Sequence, residues 1–135
     1  MSSQTVTQDP ARSKTIRYTS LALRLLAAVA FLAAGGAKLA GIPMMVEIFE
    51  HIGLGQWFRI FTGLVEVSAA IALLIPYSAG LAGLLLAITM ACAVFTHVFV
   101  IGGSPAPGIL LGVITASIAW LNRAGLLTLI RPTHA

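Results

Sequence analysis

The sequence predicts an all-α, polytopic membrane four-helix bundle, with a short amphipathic interfacial helix between spans 1 and 2. Three observations carry that expectation. Of the 135 residues, 59% are hydrophobic and 9% are charged, whereas a soluble domain carries about 25% charged residues. A chain this short must leave much of its surface exposed, so a large core does not account for the deficit and a bilayer does. Finally, the apolar residues fall into four long runs separated by Pro- and Gly-containing turns.

Residues 1–15 read as a polar tail, 16–130 as one transmembrane domain and 131–135 as a C-terminal tail. A spanning helix needs about 20 mainly apolar residues, and segments 20–41, 57–76, 79–101 and 107–122 qualify, with 126–130 either extending the last span or lying at the interface. A secretory signal is the rival reading of the first run, with its basic start and "LLAAVAFLAA" followed by small residues. That run continues past any cleavage point, which favours a retained span. Next, "IPMMVEIFEHIGLGQ" reads as a short amphipathic helix. Pro43 suits its first position, Met44, Met45, Ile48, Phe49 and Ile52 share one face, Glu47, Glu50 and His51 the other, and Gly53 or Gly55 ends it. Trp57 and Phe58 mark the interface before the second span. "PYS" and "GGSPAP" stop the following helices, because Pro lacks the N–H that a helix needs.

The net charge is +4, and most basic residues sit at the chain ends: Arg12, Lys14 and Arg17 before the first span, Arg123 and Arg131 after the last. Positive-inside placement explains this and puts both termini in the cytoplasm, in a multi-pass inner (cell) membrane protein. No nucleic acid partner is needed. The single cysteine, Cys92, excludes an internal disulfide or dithiol site and reads as a core packing residue.

Three ionisable groups interrupt the apolar runs. Lys38 lies about one turn from the outer end of the first span, His97 about one turn before the outer end of the third, and Glu66 roughly 13 Å into the second at 1.5 Å per residue. Thr62, Gly63, Glu66, Ala69, Ala70 and Leu73 share a face of small residues, the kind that close helix contacts in lipid prefer. A charge at mid-bilayer costs about 2.5–3.5 kcal/mol. Glu66 escapes that cost by protonating, by pairing with Lys38, or by bonding Thr62, Ser68 or His97. The expectation is a Lys38–Glu66 pair with His97 nearby and Thr62 in the same polar centre, supported by Arg24, Thr96, Glu47 and His51. The bland reading stands beside it: buried polar pairs often only fix packing. Arg24 is expected to snorkel towards cytoplasmic headgroups, and Glu47, Glu50 and His51 to form a solvated face able to rim an entrance.

Several chemistries are disfavoured. Haem needs facing axial ligands, yet only His97 lies inside a span. His, Cys and Asp are too few for zinc, and no metal site is expected. There is no GxGxxG or P-loop and no Ser-His-Asp set. A proton-capable cluster in an apolar site suits a hydrophobic ligand with a polar head, such as a quinone or lipid.

Arg24 followed by "GGAKLAGIP", then "GLVEVSAAIALLIP" around Glu66 and "ACAVFTHVFVIGG" around His97, together resemble the DoxX-like family of small four-helix bacterial membrane proteins, over about residues 20–125. The resemblance implies Arg24, Lys38, Glu66 and His97 as motif positions. It also implies company: some DoxX relatives are membrane subunits of thiosulfate:quinone oxidoreductases, or associate with oxidoreductases in thiol and oxidative stress. The chain carries no soluble redox module, so electron transfer would need a partner. The expected function is therefore a membrane anchor or quinone-interacting subunit of an oxidoreductase complex, with the bilayer, a soluble oxidoreductase subunit and a quinone or lipid-like ligand as partners. A small-solute or proton carrier and a structural or assembly protein stay open as alternatives, as does whether the chain is itself an enzyme.

Overall fold

Backbone polar groups surrounded by lipid must be satisfied within the segment, and a helix does this. The computed structural model describes residues 10–131, and among those it contains helices and no strand: α1 (Pro10–Ala40), α2 (Pro43–Ile52), α3 (Gln56–Leu74), α4 (Ala79–Thr96), α5 (Ala106–Leu121) and α6 (Arg123–Ile130). The 31 residues of α1 extend over about 46 Å, well beyond a hydrocarbon core of about 30 Å. Residues 10–15, expected as tail, are thus the first turns of α1, while 1–9 and 132–135, which include the remainder of both expected tails, lie outside the described residues.

The short helix forms as its sequence indicates. Pro43 opens α2, and Gly53 ends it in the left-handed region (φ 81°, ψ 7°), with its N–H returned to the Phe49 carbonyl; a side chain would be strained there. Phe49 is buried and packs against Phe58 of α3 at 5.8 Å between ring centroids, while Trp57 stays exposed. A tight turn joins α3 to α4, and Ser78 closes it by donating its hydroxyl to the Ala72 carbonyl at 2.8 Å. The third run holds a feature the pattern did not signal: α4 passes directly into a π-helical stretch, His97–Ile101. Such wide turns concentrate at functional sites.

Three helical stretches are long and apolar enough to cross a membrane: Ser13–Ala40, Gln56–Leu74 and Ala79–Ile101. A fourth counts only if α5 and α6 are taken as one span, and the two are bent by 68°. The bend falls at Asn122, whose side-chain amide donates to Ser20 Oγ at 3.1 Å and to the Ile118 carbonyl at 2.8 Å. Asn122 also packs so closely on Gly80 that a Cβ there would meet its carbonyl oxygen at 2.7 Å. The end of α5 is held against α1 and α4, and α6 leaves along a new direction.

The helices pack chiefly as two antiparallel pairs, α1 with α3 and α4 with α5, which meet through α3–α4 and α1–α5 contacts. In the first pair Gly35 and Gly63 bring the backbones together: a Cβ on either would lie 3.0 Å from the other's carbonyl oxygen. In the second, Gly83 faces Ala119, Gly112 faces Met90 and Gly108 faces Val94. The interior is accordingly small, with Ala27, Ala28, Ala69, Ala70, Ala79 and Ala82 buried around Phe31, Leu73, Leu86 and Ile118. Large apolar side chains such as Leu26, Val29, Phe61, Leu64, Ile88 and Val113 are exposed. Small residues inside and large ones outside is the distribution a lipid surround demands. Cys92 belongs to that outer surface rather than to the core. It shares a face with Leu85, Ile88, Phe95 and Phe99, opposite the buried Leu86 and Met90.

Candidate functional site

Two polar groupings occur at the end of the bundle capped by α2, and a third lies at the opposite end. The first joins α1 to α3. Lys38 Nζ donates to Glu66 Oε2 at 2.9 Å, with the two side chains 13% and 3% exposed. The geometry follows from helix direction. Side chains lean towards their own N-terminus, so in an antiparallel pair Lys38 and Glu66, offset along the axis, lean towards each other. Glu66 is buried beside Gly35, where a Cβ would come within 3.1 Å of its own Cβ.

A residue the sequence reading passed over completes this grouping. Arg59 donates Nε to Gln56 Oε1 at 2.7 Å and Nη1 to the Lys38 carbonyl. Gln56 in turn donates to the Val46 carbonyl of α2 at 3.2 Å. The guanidinium thus satisfies a carbonyl in the last turn of α1, where the helix dipole favours a cation, and ties α2 to the α1–α3 pair. Gly41 lies beneath it at φ 66°, and a Cβ there would touch Arg59 Nη1 at 3.4 Å. Sequence alone offered one signal, an arginine inside the aromatic "QWFRIF" that opens a span.

At the opposite end Arg24 does not snorkel outward. It is 7% exposed, and its Nε donates to the Leu73 carbonyl at 2.6 Å, which stabilises the last turn of α3. Terminal carbonyls of a helix lack intrahelical donors, and this one supplied a partner nearer than the headgroups.

The other grouping at the α2 end separates His97 from the expected centre. A hollow of about 350 Å³ opens between α2, the π-helical end of α4 and residues 102–104. Met44, Ile48 and Ile101 give it apolar walls, and Glu47, His51 and His97 line it as well. Lys38, Glu66 and Thr62 are not among its lining residues. His97 lies on the face that α4 turns inward, as its spacing from Met90 and Ala93 requires, but α2 covers that face here rather than α3. Its Nδ1 lies 2.9 Å from the Ala93 carbonyl, and His51 Nδ1 lies 3.2 Å from the Glu47 carbonyl. Thr62 and Thr96 donate their hydroxyls to carbonyls one turn back, Phe58 and Cys92, each at 2.8 Å, so neither hydrogen is available to Glu66 or His97. The single polar centre expected from the sequence is therefore two: a closed ion pair and an open hollow with two imidazoles. A larger seam of about 610 Å³ between α1 and α5, against Leu23, Val113 and Trp120, has no ionisable group in its lining; position and chemistry favour the smaller one.

The chain is 33% identical over 84 residues to an uncharacterized protein, YdgD, of Bacillus subtilis (strain 168); the matched region covers 59% of this chain and 74% of the relative. No solved structure matches it significantly. The model of the DoxX-like family matches residues 22–122, which takes in Arg24, Lys38, Glu66, His97 and the helices that carry them, and the chain belongs to that family.

Proposed function

We propose that this protein is the membrane-embedded, quinone-interacting subunit or anchor of an oxidoreductase assembly, oriented with the α2 end outward and both termini in the cytoplasm. One observation carries the reading: the hollow at the α2 end combines apolar walls with Glu47, His51 and His97. Ligand sites of this kind pair an apolar lining with a few placed polar groups, and an isoprenoid quinone presents an apolar body with a polar ring. The family adds support, since some DoxX-like relatives accompany oxidoreductases.

A structural reading is favoured by a different observation. The Lys38–Glu66 pair and the two arginine clamps spend their hydrogen bonds inside the protein, which fits residues that set packing. We assign packing to those groups and ligand contact to the hollow. A proton or solute carrier gains less, because Ala27, Phe31, Ala69 and Ala70 fill the interior between Glu66 and Arg24 with apolar atoms.

Purification from native membranes in mild detergent, followed by chromatography and mass spectrometry of extracted quinones and of accompanying proteins, tests the reading. Near-stoichiometric quinone that is lost in His97→Leu, together with a soluble oxidoreductase, is the expected result. Protein that emerges with neither, from detergent and from lipid nanodiscs alike, refutes it.

A further inference from the structure

The two histidines of the hollow are held in the same way, each ring Nδ1 set against the carbonyl one turn back on its own helix, Ala93 for His97 and Glu47 for His51. A carbonyl only accepts, so each Nδ1 must carry the hydrogen. In a neutral imidazole the other nitrogen, Nε2, is then a bare acceptor. Backbone carbonyls are among the groups that fix a histidine tautomer in this way when its other ring nitrogen binds a metal. Neither Nε2 has a protein partner among the described residues, and no buried side-chain nitrogen or oxygen there lacks one. Both Nε2 atoms are therefore accessible. The Glu47 carboxylate is likewise free of any salt bridge among the described residues, and an ionised carboxylate accepts only.

With neutral imidazoles, the side-chain polar groups on offer are three acceptors, two imidazole nitrogens and a carboxylate, and one two-way group, the Ser104 hydroxyl, which accepts from the Ala106 N–H and keeps a hydrogen to donate, above walls made by Met44, Ile48 and Ile101. Among the described residues they do not converge as a metal-holding set, so hydrogen bonding is the chemistry they provide. A complementary head group must bring donors. We infer that the hollow takes a hydroxyl-bearing ring and so, resting on the quinone reading above, binds the reduced quinol in preference to the quinone. The two ring hydroxyls of a quinol donate to Nε2 of His97 and His51 or to Glu47. The carbonyls of the oxidised ring would instead find one side-chain donor, the Ser104 hydroxyl, and otherwise face lone pairs. A closed site built for a substrate hydroxyl rejects its analogue by factors of about 10⁴ or more. This hollow is open to its surroundings, and a ratio of about tenfold is expected.

The test uses the full chain in lipid nanodiscs under anaerobic conditions, with a decyl-tailed benzoquinol and the matching benzoquinone titrated separately by calorimetry. Quinol is expected to bind about tenfold tighter, and His97→Leu and His51→Leu each to bring the ratio close to one. His51 is exposed, so that variant leaves the fold intact even if His97→Leu does not. Equal or tighter binding of the quinone, or a ratio unaltered in both variants, overturns the acceptor assignment while leaving a quinone site in place. Failure of both ligands to bind overturns the assignment and the quinone reading together.

Discussion

Removing Lys38 from beneath the α2 end leaves Glu66 without its cation. The Glu66 side chain is 3% exposed and lies 2.9 Å from Lys38 Nζ, so the carboxylate has no route to water of its own. Breaking one partner out of a buried pair costs about 3–5 kcal/mol, and placing a charge at mid-bilayer about 2.5–3.5 kcal/mol. The ranges meet near 3 kcal/mol, which is the destabilisation expected for Lys38→Met and corresponds to a factor of about 150 in the folding equilibrium. Replacing both partners behaves differently. The double variant Lys38→Met/Glu66→Leu removes both charges and fills their volume, and such exchanges are often neutral, so it should return to within about 1 kcal/mol of the wild type. Reversible unfolding in mixed micelles, followed by circular dichroism, measures all three. If the double variant is as unstable as the sum of its singles, or if Lys38→Met costs less than 0.5 kcal/mol, the pair is not what holds α1 to α3.

The remaining expectations use the same assay or hydrogen exchange. Gly35→Ala should cost about 1–3 kcal/mol, because its Cβ would lie 2.8 Å from Val67 Cγ2 and 3.0 Å from the Gly63 carbonyl. Neighbouring Gly36 has no atom within 4 Å of an added Cβ, so Gly36→Ala should stabilise by up to about 1 kcal/mol; similar outcomes for both would contradict the described roll of α1. Arg59→Ala should cost about 1.5–3 kcal/mol and speed hydrogen exchange in α2. Arg59→Lys should recover only part of that, since a lysine lacks the fork that reaches Gln56 and Lys38 together. Cys92→Ala should stay within about 0.5 kcal/mol of wild type, as expected for an exposed position; a loss of about 2 kcal/mol or more would place it inside.

Much of this was legible in the residue pattern, for physical reasons. Apolar runs of bilayer length bounded by Pro and Gly leave little choice but helices, and Pro43 and Gly53 mark α2 through backbone constraints that do not depend on neighbours. The Lys38–Glu66 contact could be anticipated because level and face are both fixed by helical period once the hairpin α1–α3 is assumed. His97 defeated the same reasoning. Its level and inward face were readable, but which helix covers that face depends on where α2 folds back, and α2 lies over it. Arg24 shows another limit. A long stem reaches outward or inward with equal ease, and the deciding group, the Leu73 carbonyl at the end of α3, exists only once that helix stops beside it. Cys92 failed because nearly all the residues around it, Thr89 and Thr96 apart, are apolar, so hydrophobicity carries little phase in a helix bathed in lipid.

The polar residues outside the hollow still bear on it. Arg24 and Lys38 are fourteen residues apart on α1, and Arg59 and Leu73 are fourteen apart on α3. Fourteen residues make nearly four turns, so each pair occupies one face of its helix. Because the helices run antiparallel, Arg24 of α1 meets the end of α3 while Arg59 of α3 meets the end of α1. Each helix terminus, carrying its share of negative dipole, is met by the other helix's guanidinium. A slip of one turn, 5.4 Å, would break both arginine contacts and the Lys38–Glu66 pair at once, and would carry Gly35 away from Gly63. Polar groups and the Gly35–Gly63 contact thus define the register together. From that register hangs α2, through Arg59, Gln56 and the Val46 carbonyl, and α2 carries Glu47 and His51 to their places opposite His97. The position of Glu47 and His51 at the hollow is set by a chain of bonds whose other end lies in the packing of α1 on α3.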